Sequence, residues 1–226
     1  MAQTKEVERS HQIWFHYFTG LKLTDLWSAA IDGGYRTRNN TNQSLYLVRS
    51  GVNYRISPLI RVGVGFGHLG LFEGSTLDRV EYRPHQEFTL AGKEGRIKIN
   101  QRLRVEERFV TDAHEKVVPE PDSFNFRFRY RLNFSIPVTQ ISGSGSSGKL
   151  FLNVGDELFI NAGEQIVYDV FSMNRVLLGS TLQLSSAFSL RFIYNHQFQA
   201  QDTPGDYRQD HVFRFGLAHM IDKRGT

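Results

Sequence analysis

The chain has 226 residues, no cysteine, and a formal net charge of +4 in which arginine far outnumbers lysine. That length fits one domain, or at most two small ones, and the missing cysteine excludes disulfides, thiolate metal centres and cysteine nucleophiles. Aromatic residues are abundant (18 Phe, 9 Tyr, 2 Trp) although mean hydropathy is negative, a pairing that a soluble α/β enzyme rarely shows and that alternating lipid-facing and lumen-facing residues produce in a transmembrane barrel.

The chain opens on the polar run Met1-Ala2-Gln3-Thr4-Lys5-Glu6, which has no apolar signal-peptide core. The expectation is a mature chain whose leader was replaced by an initiator Met, although a cytosolic protein would start in the same way. No later stretch approaches the roughly 18 apolar residues of a spanning helix. Residues 1–10 read as a polar N-terminal segment, 11–222 as one barrel domain, and 223–226 as a tail.

Period-two patterning predicts strands at residues 11–20, 26–38, 45–56, 59–69 and 85–91. In the fourth, Arg61-Val62-Gly63-Val64-Gly65-Phe66-Gly67 places glycine on the polar face, as a crowded barrel interior requires where small side chains make room for long ones. The same run is not a phosphate loop, because it lies inside a strand and opens no helix. Next, Ile97, Ile99, Leu103, Val105 and Phe109 line one face and Lys98, Asn100, Arg102, Arg104, Glu106 and Arg108 the other. Gln101 and Glu107 interrupt the apolar stripe, which implies either a β-bulge or a face not wholly in lipid.

Residues 123–137 carry the strongest signal. Phe124, Phe126, Phe128, Tyr130, Leu132, Phe134 and Ile136 alternate with Asn125, Arg127, Arg129, Arg131, Asn133 and Ser135. Such alternation is a β-strand and not an amphipathic helix. About thirteen residues at a rise of ~3.3 Å, tilted by roughly 40°, span on the order of 30 Å, the thickness of a bilayer core. Soluble strands usually stop after about 5 or 6 residues. Further strands follow at 149–161, 174–184, 187–198 and 211–222.

Short links at 22–25, 57–58, 92–95 and 185–186 alternate with long polar ones at 37–43, 72–84, 111–122, 162–171 and 199–210. Short turns on one rim and long loops on the other is the layout of an outer-membrane barrel. Residues 141–148 break the rule as a flexible Gly/Ser linker. The fold expected is all-β: a closed antiparallel up-and-down transmembrane β-barrel. Eleven strands can be counted, and because bacterial barrels normally have an even number, the expectation is about twelve, with ten as the alternative. A short strand near residues 4–10 would make up the difference.

The polar faces gather Asp32, Arg36, Arg49, Arg61, Glu87, Arg102, Arg104, Glu106, Arg108, Arg127, Arg129, Arg131, Glu157, Arg191 and Arg214 as a lumenal charge network. One reading is a basic channel or pocket for a phosphate, carboxylate or acidic sugar, groups that suit guanidinium forks. The other, which the geometry of a narrow lumen favours, is an internal salt-bridge network that fills it. Neither Glu106-Glu107 nor Asp156-Glu157 forms a dyad with itself, since strand neighbours point to opposite faces. The histidines His11, His16, His68, His85, His114, His196, His211 and His219 show no metal-ligand spacing, and there is no G-x-S-x-G. His196 and His219 fall on apolar-face positions, as rim residues beside an aromatic girdle would. No catalytic residue, cofactor or metal is expected. Nucleic acid is disfavoured because aromatic and basic residues lie on opposite faces, whereas RNA-stacking sheets place them on one.

The opening Trp14-x-x-Tyr17 strand with its Leu23-Thr24-Asp25 turn, Gly34-Tyr35-Arg36-Thr37-Arg38, Arg102-Leu103-Arg104-Val105-Glu106-Glu107-Arg108-Phe109, Phe128-Arg129-Tyr130-Arg131-Leu132, Asn153-Val154-Gly155-Asp156-Glu157-Leu158-Phe159-Ile160-Asn161 and Asn174-Arg175 carry a likeness over essentially the whole chain. In order and spacing they resemble the DUF2490 family of bacterial proteins, to which the Gly/Ser linker is foreign. The resemblance implies a β-barrel and an outer-membrane address in a Gram-negative bacterium, and supplies no activity. The function expected is therefore a small channel, transport or envelope-structural protein. The alternatives are an outer-membrane enzyme acting on lipid or lipopolysaccharide, and a soluble β-barrel binding module. The partners expected are the lipid bilayer and a small anionic solute.

Overall fold

The computed structural model describes residues 6–39, 41–113, 122–143, 146–164, 166, 170–201, 203 and 205–224, with side chains at 140–147 not described. Among these residues the chain forms eleven strands and no helix: β1 Glu6–Lys22, β2 Trp27–Arg38, β3 Gln43–Arg55, β4 Ile60–Glu73, β5 Thr76–Glu94, β6 Ile97–Asp112, β7 Ser123–Gly143, β8 Ser146–Ala162, β9 Phe171–Gln183, β10 Phe188–Ala200 and β11 Asp206–Asp222. Each pairs with its sequence neighbours, and β1 pairs with β11 to close the barrel.

An odd number of up-and-down strands leaves the first and last running in the same direction. Closure is therefore parallel, from Glu6↔Asp206 to Lys22↔Asp222, while the other ten seams are antiparallel. The count falls between the expected ten and twelve, and all-antiparallel pairing gives way at this single seam. The additional strand considered near residues 4–10 is not separate, since Glu6–Ser10 continues β1 against β11. Stacked rings reinforce the parallel seam, with His11 on His211 at 5.3 Å and Phe15 on Phe215 at 5.7 Å. At its end Lys22 meets Asp222 at 3.3 Å.

Two predicted connections are strand. Residues 72–84 read from the sequence as a long polar loop. Instead β4 and β5 meet in a two-residue turn at Gly74-Ser75. Pairing of β5 with β6 lapses only at Arg83-Pro84 and resumes in unchanged register, Tyr82↔Phe109 and His85↔Glu106. The Gly/Ser linker is likewise hairpin: Ile141↔Gly148, Ser142↔Ser147 and Gly143↔Ser146 extend β7 and β8, with 144–145 outside the described residues. Gly and Ser adopt a ladder here because the long strands that precede and follow it have already aligned the pairing. The expected loop at 111–122 falls largely outside the described residues, as does His114.

The turns at the end where β1 finishes span at most four residues, while the end where β1 begins carries the longer connections at 113–122, 163–170 and 201–205 beside short ones at 39–42 and Gly74-Ser75. Gly74 and Gly95 each open a two-residue hairpin with positive φ (61° and 54°), the geometry of a II′ turn, which L-residues other than glycine resist.

Faces are inverted relative to a soluble protein. Phe15, Tyr35, Val64, Phe128, Tyr130, Leu190 and Phe215 stand exposed on the outer wall, whereas Glu106, Arg129, Glu157 and Asp210 are buried inside. Gln101 and Glu107 lie on the outer wall without any bulge in β6. Each is paired there, Gln101 accepting from the Tyr130 hydroxyl at 2.8 Å and Glu107 from Gln86 at 3.2 Å. Asp156 is similarly outward and accepts from Asn174 at 2.9 Å.

Candidate functional site

Strand alternation sends every second residue of β5 to β9 into the interior, and in the middle of β6 and β7, over residues 100–108 and 125–133, all of these are Arg, Glu or Asn. Cross-strand register then decides the partners. Arg104 lies opposite both Glu87 and Arg129, Glu106 opposite Arg127, and Arg131 opposite Glu157.

Three carboxylates and three guanidinium groups close into a ring. Arg104 joins Glu87 (2.6 Å) to Glu106 (3.7 Å), Arg129 joins Glu106 (2.5 Å) to Glu157 (2.7 Å), and Arg102 joins Glu157 (2.7 Å) back to Glu87 (3.9 Å). Arg127 adds a third cation to Glu106 at 2.5 Å, and Arg175 a third to Glu157 at 3.1 Å. Glu106 and Glu157 are each only 2% exposed. Burying such charges is costly unless every lone pair is engaged, and the several arginines around each carboxylate meet that condition. Beside the ring, Glu81 holds Arg83 and Arg108. On the other wall Arg49 forks onto Asp32, with the closest contact at 2.5 Å.

Aromatic rings complete the filling. The buried Phe159 has the guanidinium carbons of Arg129 and Arg175 at 4.5 and 4.9 Å from its centroid. Arg175 on β9 also reaches within 5.4 Å of the Trp14 ring on β1, across which Arg36 lies at 3.9 Å. Side chains from β1, β2, β8 and β9 thus meet across the lumen, and cation–π contact supplies attraction where no carboxylate is present. Glycine makes the room: a Cβ on Gly34 would strike the His16 ring at 2.8 Å, and one on Gly65 the His85 ring at 2.6 Å.

The fifteen residues singled out from sequence divide by environment. Glu87, Arg102, Arg104, Glu106, Arg127, Arg129 and Glu157 form the ring and its Glu106 branch, Arg108 binds Glu81, and Asp32 binds Arg49. Arg36, Arg131, Arg191 and Arg214 face inward with no carboxylate partner among the described residues. Arg61 is exposed at the short-turn rim, outside the network. Three members were missed. Pro84 concealed the inward alternation of Glu81 and Arg83, and Arg175 was noted only as part of a family motif although its alternation with Met173 and Leu177 marks it as inward.

Five of the described histidines bond to tyrosine, glutamine or backbone: His219 to Tyr17, His68 to Tyr46, His211 to Tyr194, His196 to Gln209, and His85 to the Arg83 carbonyl, while His16 Nε2 is buried without a partner among the described residues. His219 stacks on Phe188 at 4.4 Å near the short-turn rim, and His196 meets His211 edge-on near the other. No group of three or more His, Cys, Asp or Glu that could hold a metal occurs among the described residues.

Fold and interior together define a closed, mixed-direction β-barrel with a charge-braced lumen and an apolar outer wall. The chain belongs to the DUF2490 family, described as a protein of unknown function, whose family model matches residues 11–208. No curated protein and no solved structure matches it.

Proposed function

We propose that the protein spans the outer membrane of a Gram-negative bacterium as a braced envelope barrel with a closed waist. The observation that carries this reading is the inversion of faces, with Phe128 and Tyr130 at 41% and 45% exposure beside Arg129 at 7% on one strand. In water the outer wall would expose an apolar belt far larger than the few hundred Å² that soluble monomers show; in a bilayer it is the ordinary exterior. Outward aromatic clusters near both ends, Trp27 with Tyr54 and Phe188 with His219 at one, Tyr46 with His68 and Phe72 at the other, suit two interfacial girdles.

The closed waist follows from the filling. A barrel of about eight strands is filled by ordinary side chains, and one of 16–18 leaves a water channel. Eleven strands lie between, and long arginines clamped by Glu87, Glu106 and Glu157 occupy the space that shorter residues would leave open. Refolded protein in a planar bilayer should insert yet conduct far below a water-filled pore. A large ohmic conductance would overturn the closed waist, and a monodisperse folded barrel without detergent would overturn the membrane reading.

A further inference from the structure

Beyond the ring, toward the short-turn rim, the lumen widens into a cavity of about 410 Å³, bordered by the turn between β9 and β10 and open to solvent at that end. Its lining holds four cationic side chains, Lys98, Arg131, Arg191 and Arg214, and no carboxylate. Arg131 stands opposite Glu157 in register, but Glu157 is already taken by Arg102, Arg129 and Arg175. The Nε atoms of Arg131 and Arg214 are buried without a hydrogen-bond acceptor. A buried donor left unmade is costly and requires an explanation, commonly a bound water or ion. Clustered like charges in a poorly solvated interior repel one another, which adds to that cost.

The remaining wall is neutral and hydrogen-bonding. Asn133 donates to Ser135 at 3.4 Å, Ser135 to Asn153 at 2.7 Å, and Asn153 to Thr181 at 2.9 Å. Amides and hydroxyls in this arrangement suit a hydroxylated body, while the guanidinium groups suit the planar or tetrahedral oxygens of an acid. The volume lies in the ordinary range of small-molecule pockets, about 300–1,000 Å³. We propose that this vestibule is a binding site for the oxyanion group, phosphate or carboxylate, of a small hydroxylated molecule entering from the short-turn rim. The site does not depend on what surrounds the outer wall.

The test is thermal unfolding of the purified barrel in maltoside detergent, titrated with inorganic phosphate against chloride at matched ionic strength. Phosphate should raise the melting temperature saturably, as a ligand that binds only the folded state must. An Arg131→Gln/Arg214→Gln double variant should lose that rise, and in phosphate-free buffer it should melt no lower than the parent, since it removes uncompensated charge. Lys98→Gln, at an exposed position, should need several-fold more phosphate for the half-maximal shift and guards against a double variant that does not fold. Arg61→Gln, at the same rim outside the cavity, should behave as the parent. Repeating the melt in phosphatidylcholine vesicles with and without phosphatidylglycerol separates sources: stabilisation by phosphatidylglycerol alone, lost in the double variant, identifies a lipid headgroup, and its absence a soluble anion. No phosphate effect beyond chloride, or an effect that survives in the double variant, would overturn the site.

Discussion

Arg129 sits where two carboxylates converge, donating to Glu106 at 2.5 Å and to Glu157 at 2.7 Å, and none of these three side chains is more than 8% exposed. Replacing it with Met leaves both acids short of a cation in a poorly solvated interior, and breaking a buried pair in this way costs about 3–5 kcal/mol. Chemical unfolding of Arg129→Met in detergent should show that loss. Near-parental stability with altered ion selectivity would mean that the wall lines a water path instead. One residue earlier, Phe128 points outward. Phe128→Arg should block insertion or cost about 2–4 kcal/mol, the price of a charge at mid-bilayer. Normal folding of that variant would contradict a lipid-facing wall.

At the scale of the element, alternation alone made the strands legible. Every predicted strand exists, because an inward Arg or Gly and an outward Phe or Val on successive residues leave the backbone one pleated solution. Where alternation was carried by small or ring-locked residues the pattern failed, at Gly143–Ser146 and around Pro84, and the neighbouring strands imposed the pairing instead. Turns depend on single residues. Gly95→Val forces a β-branched side chain to φ near 54° and should destabilise the β5–β6 hairpin by at least about 1–2 kcal/mol. Gly92→Ala, with nothing within 4 Å of the added methyl group and no positive φ, should leave the melting temperature nearly unchanged.

The whole molecule has a polarity that an odd strand count makes distinctive. Parallel closure places the start of β1 at the rim of the longer connections and the end of β11 at the opposite rim. If the longer connections face outward from the cell, as in other outer-membrane barrels, Gly74-Ser75 is external and Lys93 faces the periplasm. The chain has no cysteine, so single introduced thiols report cleanly. Ser75→Cys should react with an impermeant maleimide on intact cells, and Lys93→Cys only after the outer membrane is permeabilised. The reverse pattern would invert the orientation.

Composition and period-two patterning by themselves determined an all-β barrel with polar side chains inside and apolar ones outside, because side-chain direction along a strand is a local property. They also picked out most members of the interior network, since inward parity is read one residue at a time. Partnership was not legible. Whether Glu157 serves Arg131, its neighbour in register, or Arg102, Arg129 and Arg175 depends on strand stagger and on reach across the lumen, which only the closed barrel decides. The same holds for the parallel seam: each strand is compatible with either direction of neighbour, and only the count around the ring forces β1 and β11 to run together.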